Sequence, residues 1–273
     1  MGCLHPAACP SGVGAPLKLS LVPLSALDVR DERAFRHVAL YGALKQLLVA
    51  DGVRLRVPAL GESEPSWDRA VFLNLTFWSA EAGGDVLTER SIDADVVAHI
   101  AWHHAARKAM PADSVDAHLL GEAIASAFDL YLIGRTLGRG PASGFLETQV
   151  PAMAEVADAA GLDAEGFEAL LGSVVASPDA AFEDLRALLF DVTRALVPVS
   201  GVDAALLALA PFASHRFAPL LHHFELSNWV LYARALGEAA RAPDPVALAV
   251  DADLRAAPES LAWLASRWLG EEL

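Results

Sequence analysis

The feature that most constrains the fold is a succession of helix-forming segments that fills the chain after Gly83-Gly84. Alanine and leucine, which favour helices, supply much of the hydrophobic content, which reaches 54% of the 273 residues. Prolines fall at or near the ends of several of these segments. The predicted helices span residues 94–110, 114–137, 147–160, 164–176, 178–196, 202–211, 216–240 and 259–269. The sequence therefore predicts a chain whose larger part is helical.

The shorter region before the glycine pair shows strand patterns. Residues 17–22 are predicted to form a first short strand, and residues 53–57 alternate between apolar and charged side chains, as in a half-buried strand. Residues 70–78 form the strongest predicted strand, and residues 31–48 have the spacing of an amphipathic helix. We therefore predict an α+β fold that is predominantly helical, with a small N-terminal sheet.

These patterns also divide the sequence into three parts. Residues 1–16 are rich in Gly, Pro, Ala and Cys and have the composition of a flexible leader. Residues 17–92 form a small α/β part, and residues 93–273 form the helical part.

Composition limits the partners and the compartment. The net charge of −15 would repel nucleic-acid phosphates, and no run of eighteen apolar residues is without charges, so neither nucleic acid nor a membrane is expected as a partner. Cys3 and Cys9, the two cysteines, cannot staple the fold, and Cys3-His5-Cys9 matches no strong zinc pattern. We expect a cytoplasmic protein.

A candidate metal site stands on two of the predicted helices. His99 and His103 are four residues apart and therefore share one helix face. Glu122 follows after eighteen intervening residues, and an antiparallel hairpin through Pro111 would bring it to the histidines. Two imidazoles and one carboxylate leave a coordination position for water or substrate. We predict one divalent metal ion here, zinc rather than iron.

This spacing resembles that of the gluzincin metallopeptidases, which include thermolysin-like and aminopeptidase-like enzymes. In that family a helix with H-E-x-x-H is followed by a second helix that carries the third ligand, a glutamate. The resemblance covers residues 93–134, with Gly121-Glu122-Ala123-Ile124-Ala125 in the place of the second motif. It implies a zincin-like helical core. The sequence departs from the family at Ile100, where the family has the glutamate that activates the metal-bound water.

The departure at Ile100 leaves the reaction open, because isoleucine can neither accept nor donate a proton and peptide hydrolysis is not expected. His104 and His118 are candidates to handle protons in its place. The chain is then a non-peptidase metal enzyme acting on a small molecule or peptide, an iron-dependent oxygenase with the same three ligands, or an inactive pseudo-peptidase that binds a protein partner. The histidines can also be packing residues without a metal.

A second group of histidines contains His215, His222 and His223, with Glu225 nearby. It can supply ligands for a second metal. Together with the first histidine pair, Glu122, His118 and Asp129, it would also suit a di-iron or mononuclear iron site in a helical bundle. We favour the alternative, in which these side chains form hydrogen bonds at a helix-packing surface.

Overall fold

The computed structural model describes residues 19–59, 87, 89–139 and 143–271. The predicted leader at residues 1–16, the Cys3-His5-Cys9 group and the predicted strand at residues 70–78 lie outside the described residues.

The described strands form two sheets of two strands each. Their bounds are β1 (Leu19–Pro23), β2 (Asp28–Arg30), β3 (Arg54–Pro58) and β4 (Ser91–Asp93). β1 pairs with β3 in antiparallel register, with Leu19 opposite Pro58, and this pair confirms the strands predicted near residues 17–22 and 53–57. β2 pairs with β4 in parallel. At three residues each, β2 and β4 are too short to show an alternating pattern in the sequence.

Helices make up most of the described chain and confirm a predominantly helical α+β fold. Their bounds are α1 (Glu32–Phe35), α2 (Ala39–Ala50), α3 (Ala94–Ala109), α4 (Val115–Thr136), α5 (Gly144–Ala159), α6 (Ala164–Ala176), α7 (Pro178–Leu196), α8 (Val202–Leu209), α9 (Leu226–Ala235), α10 (Pro245–Ala256) and α11 (Ser260–Leu264). The 3₁₀ turns span Leu24–Ala26, Ala210–Phe212, Ala218–Phe224 and Ala239–Arg241, and a π turn spans Ala265–Leu269.

Helix α4 is the centre of the fold. Nearly all of its residues are buried, as expected for a helix that is apolar on every side. It packs most extensively against α7 and also against α3, α6, α9 and α10. Ser114 caps its first turn, with its hydroxyl oxygen accepting the Ala117 N–H at 3.1 Å. Glu122 is a buried carboxylate in the middle of this helix, where an ionised group needs polar partners.

The core is continuous between the strands and the helices. Val22 of β1 and Leu55 of β3 belong to the same buried cluster as the apolar residues of α3, α4 and α7. Within the part of the chain that the structure describes, no helix has the length and apolar content needed to cross a bilayer.

The helix predicted at residues 31–48 is broken. The structure has α1 and α2 there, with Val38 in an extended conformation between them. Phe35 and Leu44 are both fully buried, although nine residues at about 100° each would place them on opposite sides of one continuous helix. The break lets both side chains enter the core.

The prediction over residues 216–240 was also wrong. A 3₁₀ turn at Ala218–Phe224 precedes α9, and Glu225 between them has a left-handed backbone with φ of 48°. Pro219 near the start of the turn has no N–H to donate to a helical ladder. Helix α10 was not predicted, although Asp244-Pro245 is a standard cap and first-turn pair.

Candidate metal centre

Three predicted ligands meet between α3 and α4. The Nε2 atoms of His99 and His103 are 3.2 Å apart, and Nε2 of His103 is 3.5 Å from Oε2 of Glu122. Two nitrogen ligands of a tetrahedral zinc ion, each 2.0–2.1 Å from the metal, would lie about 3.3 Å apart. The three side chains therefore form a group that can hold a metal ion. No other such group of three or more His, Cys, Asp or Glu side chains occurs among the described residues.

Packing between the two helices sets this geometry. Gly121 faces α3, and a Cβ atom there would lie 3.4 Å from Cβ of Ala106 and 3.9 Å from Nδ1 of His103. An added methyl group would make ordinary van der Waals contacts at these distances, so the two helices lie in direct contact beside His103. Trp102 is fully buried and packs edge-on against Phe128 of α4, with ring centroids 5.4 Å apart. This contact fixes the rotation of α3 and keeps the histidine face directed at α4.

Asp129 extends the centre beyond the three ligands. Its Oδ2 lies 2.9 Å from Nδ1 of His99. When Nδ1 of the neutral imidazole donates to that carboxylate, Nε2 carries the lone pair and points at His103, as a metal ligand must. Carboxylate–histidine pairs of this kind orient ligands in many metal sites. The sequence analysis offered Asp129 only as a ligand of an iron site and did not predict its pairing with His99, although it lies two helical turns after Glu122 and therefore on the same side of α4.

Electrostatics favour charge separation in the centre. Burial by itself would raise the pKa of Glu122, but the nearby His103 and His99 hold it below its usual value. Burial by itself would lower the pKa of His99, but the charge of Asp129 and its hydrogen bond raise the pKa to about 9. Glu122 is thus ionised at neutral pH, and a metal ion that binds His99 must displace a proton.

Asp95 is a further acidic group beside the centre. It lies one turn before His99 on α3, and burial together with the charge of Asp129 raises its pKa to about 7. A carboxyl group that titrates near neutral pH can both accept and donate a proton. The sequence analysis did not single it out, because spacing alone does not reveal how deeply a carboxylate is buried.

The two predicted proton-handling histidines have acidic partners of their own. His104 faces away from Glu122, with its Nε2 2.7 Å from Oδ2 of Asp51 at the end of α2. Nε2 of His118 lies 2.6 Å from Oδ1 of Asp113, and the charge of His118 contributes to the lowered pKa of Glu122. The structure thus brings His118, but not His104, towards the three ligands. Their catalytic roles stay predictions.

The second histidine group does not assemble into a metal-ligand set among the residues described. His215 accepts the Phe217 N–H through Nδ1 at 3.2 Å, a local turn contact. His222 is exposed. His223 is half-buried, and burial lowers its pKa against the opposing charges of Asp129 and Glu225.

Comparisons with known protein families, with curated proteins and with solved structures found no match. The geometry of the centre therefore carries the functional argument.

Proposed function

We propose that this protein binds one divalent metal ion through Nε2 of His99, Nε2 of His103 and the carboxylate of Glu122. The observation that carries the proposal is the spacing of these atoms, 3.2 and 3.5 Å, which is that of ligands around a single ion. The orientation of His99 by Asp129 and the burial of Glu122 in the central helix support it. A buried carboxylate between two imidazoles is stabilised by a cation.

Zinc is the metal that these donors favour. Sites built from imidazole and carboxylate bind zinc more tightly than ferrous iron, in line with the general affinity order of divalent metals. Three protein ligands leave one position of a tetrahedral ion for water or a small ligand, as in catalytic rather than structural zinc sites. The bound ion would act as a Lewis acid on that ligand and lower the pKa of a bound water.

The chemistry that we propose is not peptide hydrolysis. Ile100, at the position of the gluzincin general base, is only 2% exposed and belongs to the apolar core. Asp95 lies one turn before His99 on the same side of α3 and is better placed than residue 100 to exchange protons at the centre. We therefore propose a metal-dependent enzyme that acts on a small molecule. The gluzincin ancestry suggested by the ligand spacing stays a prediction.

An iron-dependent oxygenase is the second candidate. The donor set of two histidines and one carboxylate with open positions is that of non-haem iron oxygenases. The same three residues would hold iron, and the metal found in the purified protein separates the two proposals.

The decisive experiment is metal analysis of the full chain by mass spectrometry. We expect about one zinc ion per chain in the wild type and none in His103→Ala. His104→Ala is the matched control, because it removes the neighbouring imidazole, which contacts Asp51 instead of the ligands. It should retain the metal.

Iron in the wild type, lost in His103→Ala, would support the oxygenase in place of a zinc enzyme. Equal metal content in His103→Ala and the wild type would refute the proposed centre. So would a wild-type protein that contains no metal and takes up neither zinc nor ferrous iron at micromolar concentration.

A further inference from the structure

Helix α8 presents apolar side chains to solvent. None of its residues is buried, and Val202, Leu206 and Leu207 are 75%, 61% and 75% exposed. On α9, Leu231 is 61% exposed. Single exposed leucines are ordinary on protein surfaces, but apolar residues gathered around one depression are typical of interaction sites.

The depression is a groove of about 1140 Å³ between α8 and α9. Leu206 lines the α8 side and Leu231 the α9 side, while the buried residues Leu226 and Val230 line its interior. The half-buried Phe212, from the 3₁₀ turn after α8, adds an aromatic ring to the lining. The groove is therefore apolar along its walls and inside.

Charges near the groove are acidic. Glu225 is an exposed lining residue, and Asp203 is exposed in the first turn of α8. Arg234 also lines the groove, but its guanidinium donates to the carbonyl oxygens of Leu196 and Val197, each at 3.1 Å. Those carbonyls belong to the C-terminal end of α7, so this positive charge is committed to the protein itself. The chain as a whole carries a charge of −15.

We propose that this groove binds an amphipathic helix of a protein partner, with the apolar face of that helix in the groove and its basic residues near Asp203 and Glu225. Helices that dock in this way place side chains spaced three, four and seven residues apart into an apolar groove. The proposal does not depend on the metal centre.

Two other occupants fit the observations less well. A small apolar ligand is normally enclosed over most of its surface, whereas Leu206 and Leu231 on the two walls are each 61% exposed. A second copy of this chain would bring the same acidic residues and the same charge of −15 to the groove, and like charges oppose association. A basic partner gains from that charge.

The test uses the full chain and a synthetic leucine–lysine peptide of about 18 residues that forms an amphipathic helix. A scrambled peptide of the same composition measures attraction by charge alone. Leu206→Asp removes an apolar groove contact and adds a negative charge. Val246→Asp makes the same change at an apolar residue of α10 that is 46% exposed and outside the groove lining.

By fluorescence titration, we expect the Kd of the amphipathic peptide to rise about tenfold in Leu206→Asp and to stay within about twofold in Val246→Asp. The added negative charge cannot cause this loss, because it would strengthen binding of a cationic peptide. Circular dichroism should show that both variants melt at the wild-type temperature, since both positions are exposed.

Four results would overturn the proposal. The first is that the scrambled peptide binds as tightly as the amphipathic one, and the second is that Leu206→Asp leaves the Kd unchanged. The third is a dimer in analytical ultracentrifugation that Leu206→Asp dissociates, which would assign the groove to a second copy. The fourth is binding of palmitate that Leu206→Asp abolishes in a protein that does not bind the peptide.

Discussion

Asp129 offers the sharpest test of the metal centre, because Asp129→Asn removes a charge while keeping the size of the side chain. Asparagine can still accept the hydrogen bond from Nδ1 of His99, but it no longer supplies the negative charge that makes the imidazole a stronger ligand. Loss of such a partner typically weakens metal binding about 10- to 100-fold. This corresponds to about 1.4–2.7 kcal/mol.

The pH of the assay decides whether this loss is visible. With a pKa of about 9, His99 holds a proton at pH 7, and competition from this proton weakens the apparent metal affinity about 100-fold. Asp129→Asn removes the charge that raises this pKa, so at pH 7 weaker proton competition offsets part of the weaker metal binding. Near pH 9 the wild-type proton is half dissociated, and the weaker binding that follows from the lost carboxylate charge dominates. The zinc Kd should therefore be measured near pH 9 and again at pH 7, by competition with a chromophoric chelator.

Asp51→Asn is the matched control. Asp51, at the end of α2, lies 2.7 Å from His104 of α3 and also contacts Lys108, so this change alters a carboxylate–histidine contact that does not involve the proposed ligands. We expect its zinc Kd to stay within about twofold of the wild type. An Asp129→Asn protein with unchanged zinc affinity near pH 9, or equal losses in both variants, would refute the role of Asp129.

Two predictions concern stability in urea unfolding. Arg186→Ala should lower the free energy of unfolding by about 3–5 kcal/mol, because this fully buried guanidinium binds two carboxylates that would lose their partner. As the control, Arg255→Ala removes a partly exposed arginine and should lower it by about 1 kcal/mol or less. Equal losses in the two variants would contradict the argument. Ser114→Ala should lower the free energy of unfolding by about 1–3 kcal/mol, because the Ser114 hydroxyl caps α4 and donates to the buried Asp244 at 2.6 Å. Ser143→Ala, which removes a cap alone, should cost less, and the reverse order would show that the bond to Asp244 is unimportant.

The sequence predicted the candidate site where the geometry of single helices fixes the positions of the side chains. The predictions at residues 94–110 and 114–137 match α3 and α4 to within one residue at each end. Two histidines four residues apart must share a face of α3, and a short connection forces α4 to run back along it. Convergence of His99, His103 and Glu122 follows from these two facts.

The sequence did not predict which of several similar side chains the packing of the core directs towards the site. His103 and His104 are adjacent and chemically identical, yet the packing of Trp102 against Phe128 directs one to Glu122 and the other to Asp51. Helical spacing places Asp129 on the same side of α4 as Glu122, but the sequence does not reveal that its carboxylate contacts Nδ1 of His99. The break in the helix predicted at residues 31–48 has the same origin, since it depends on which side chains the core accepts.

The burial of Ile100 bears on what the centre can do. In the gluzincins that the ligand spacing resembles, the residue after the first histidine is the glutamate that activates the metal-bound water. Here α3 turns that position into the apolar cluster, where Ile100→Glu would place an unpaired carboxylate in the core instead of a base at the metal. Asp95, His99 and His103 follow one another at intervals of one turn along the other side of the helix. In the metal-dependent enzyme that we propose, Asp95 and not residue 100 would therefore transfer protons, and the reaction would differ from that of the peptidases whose ligand spacing the sequence resembles.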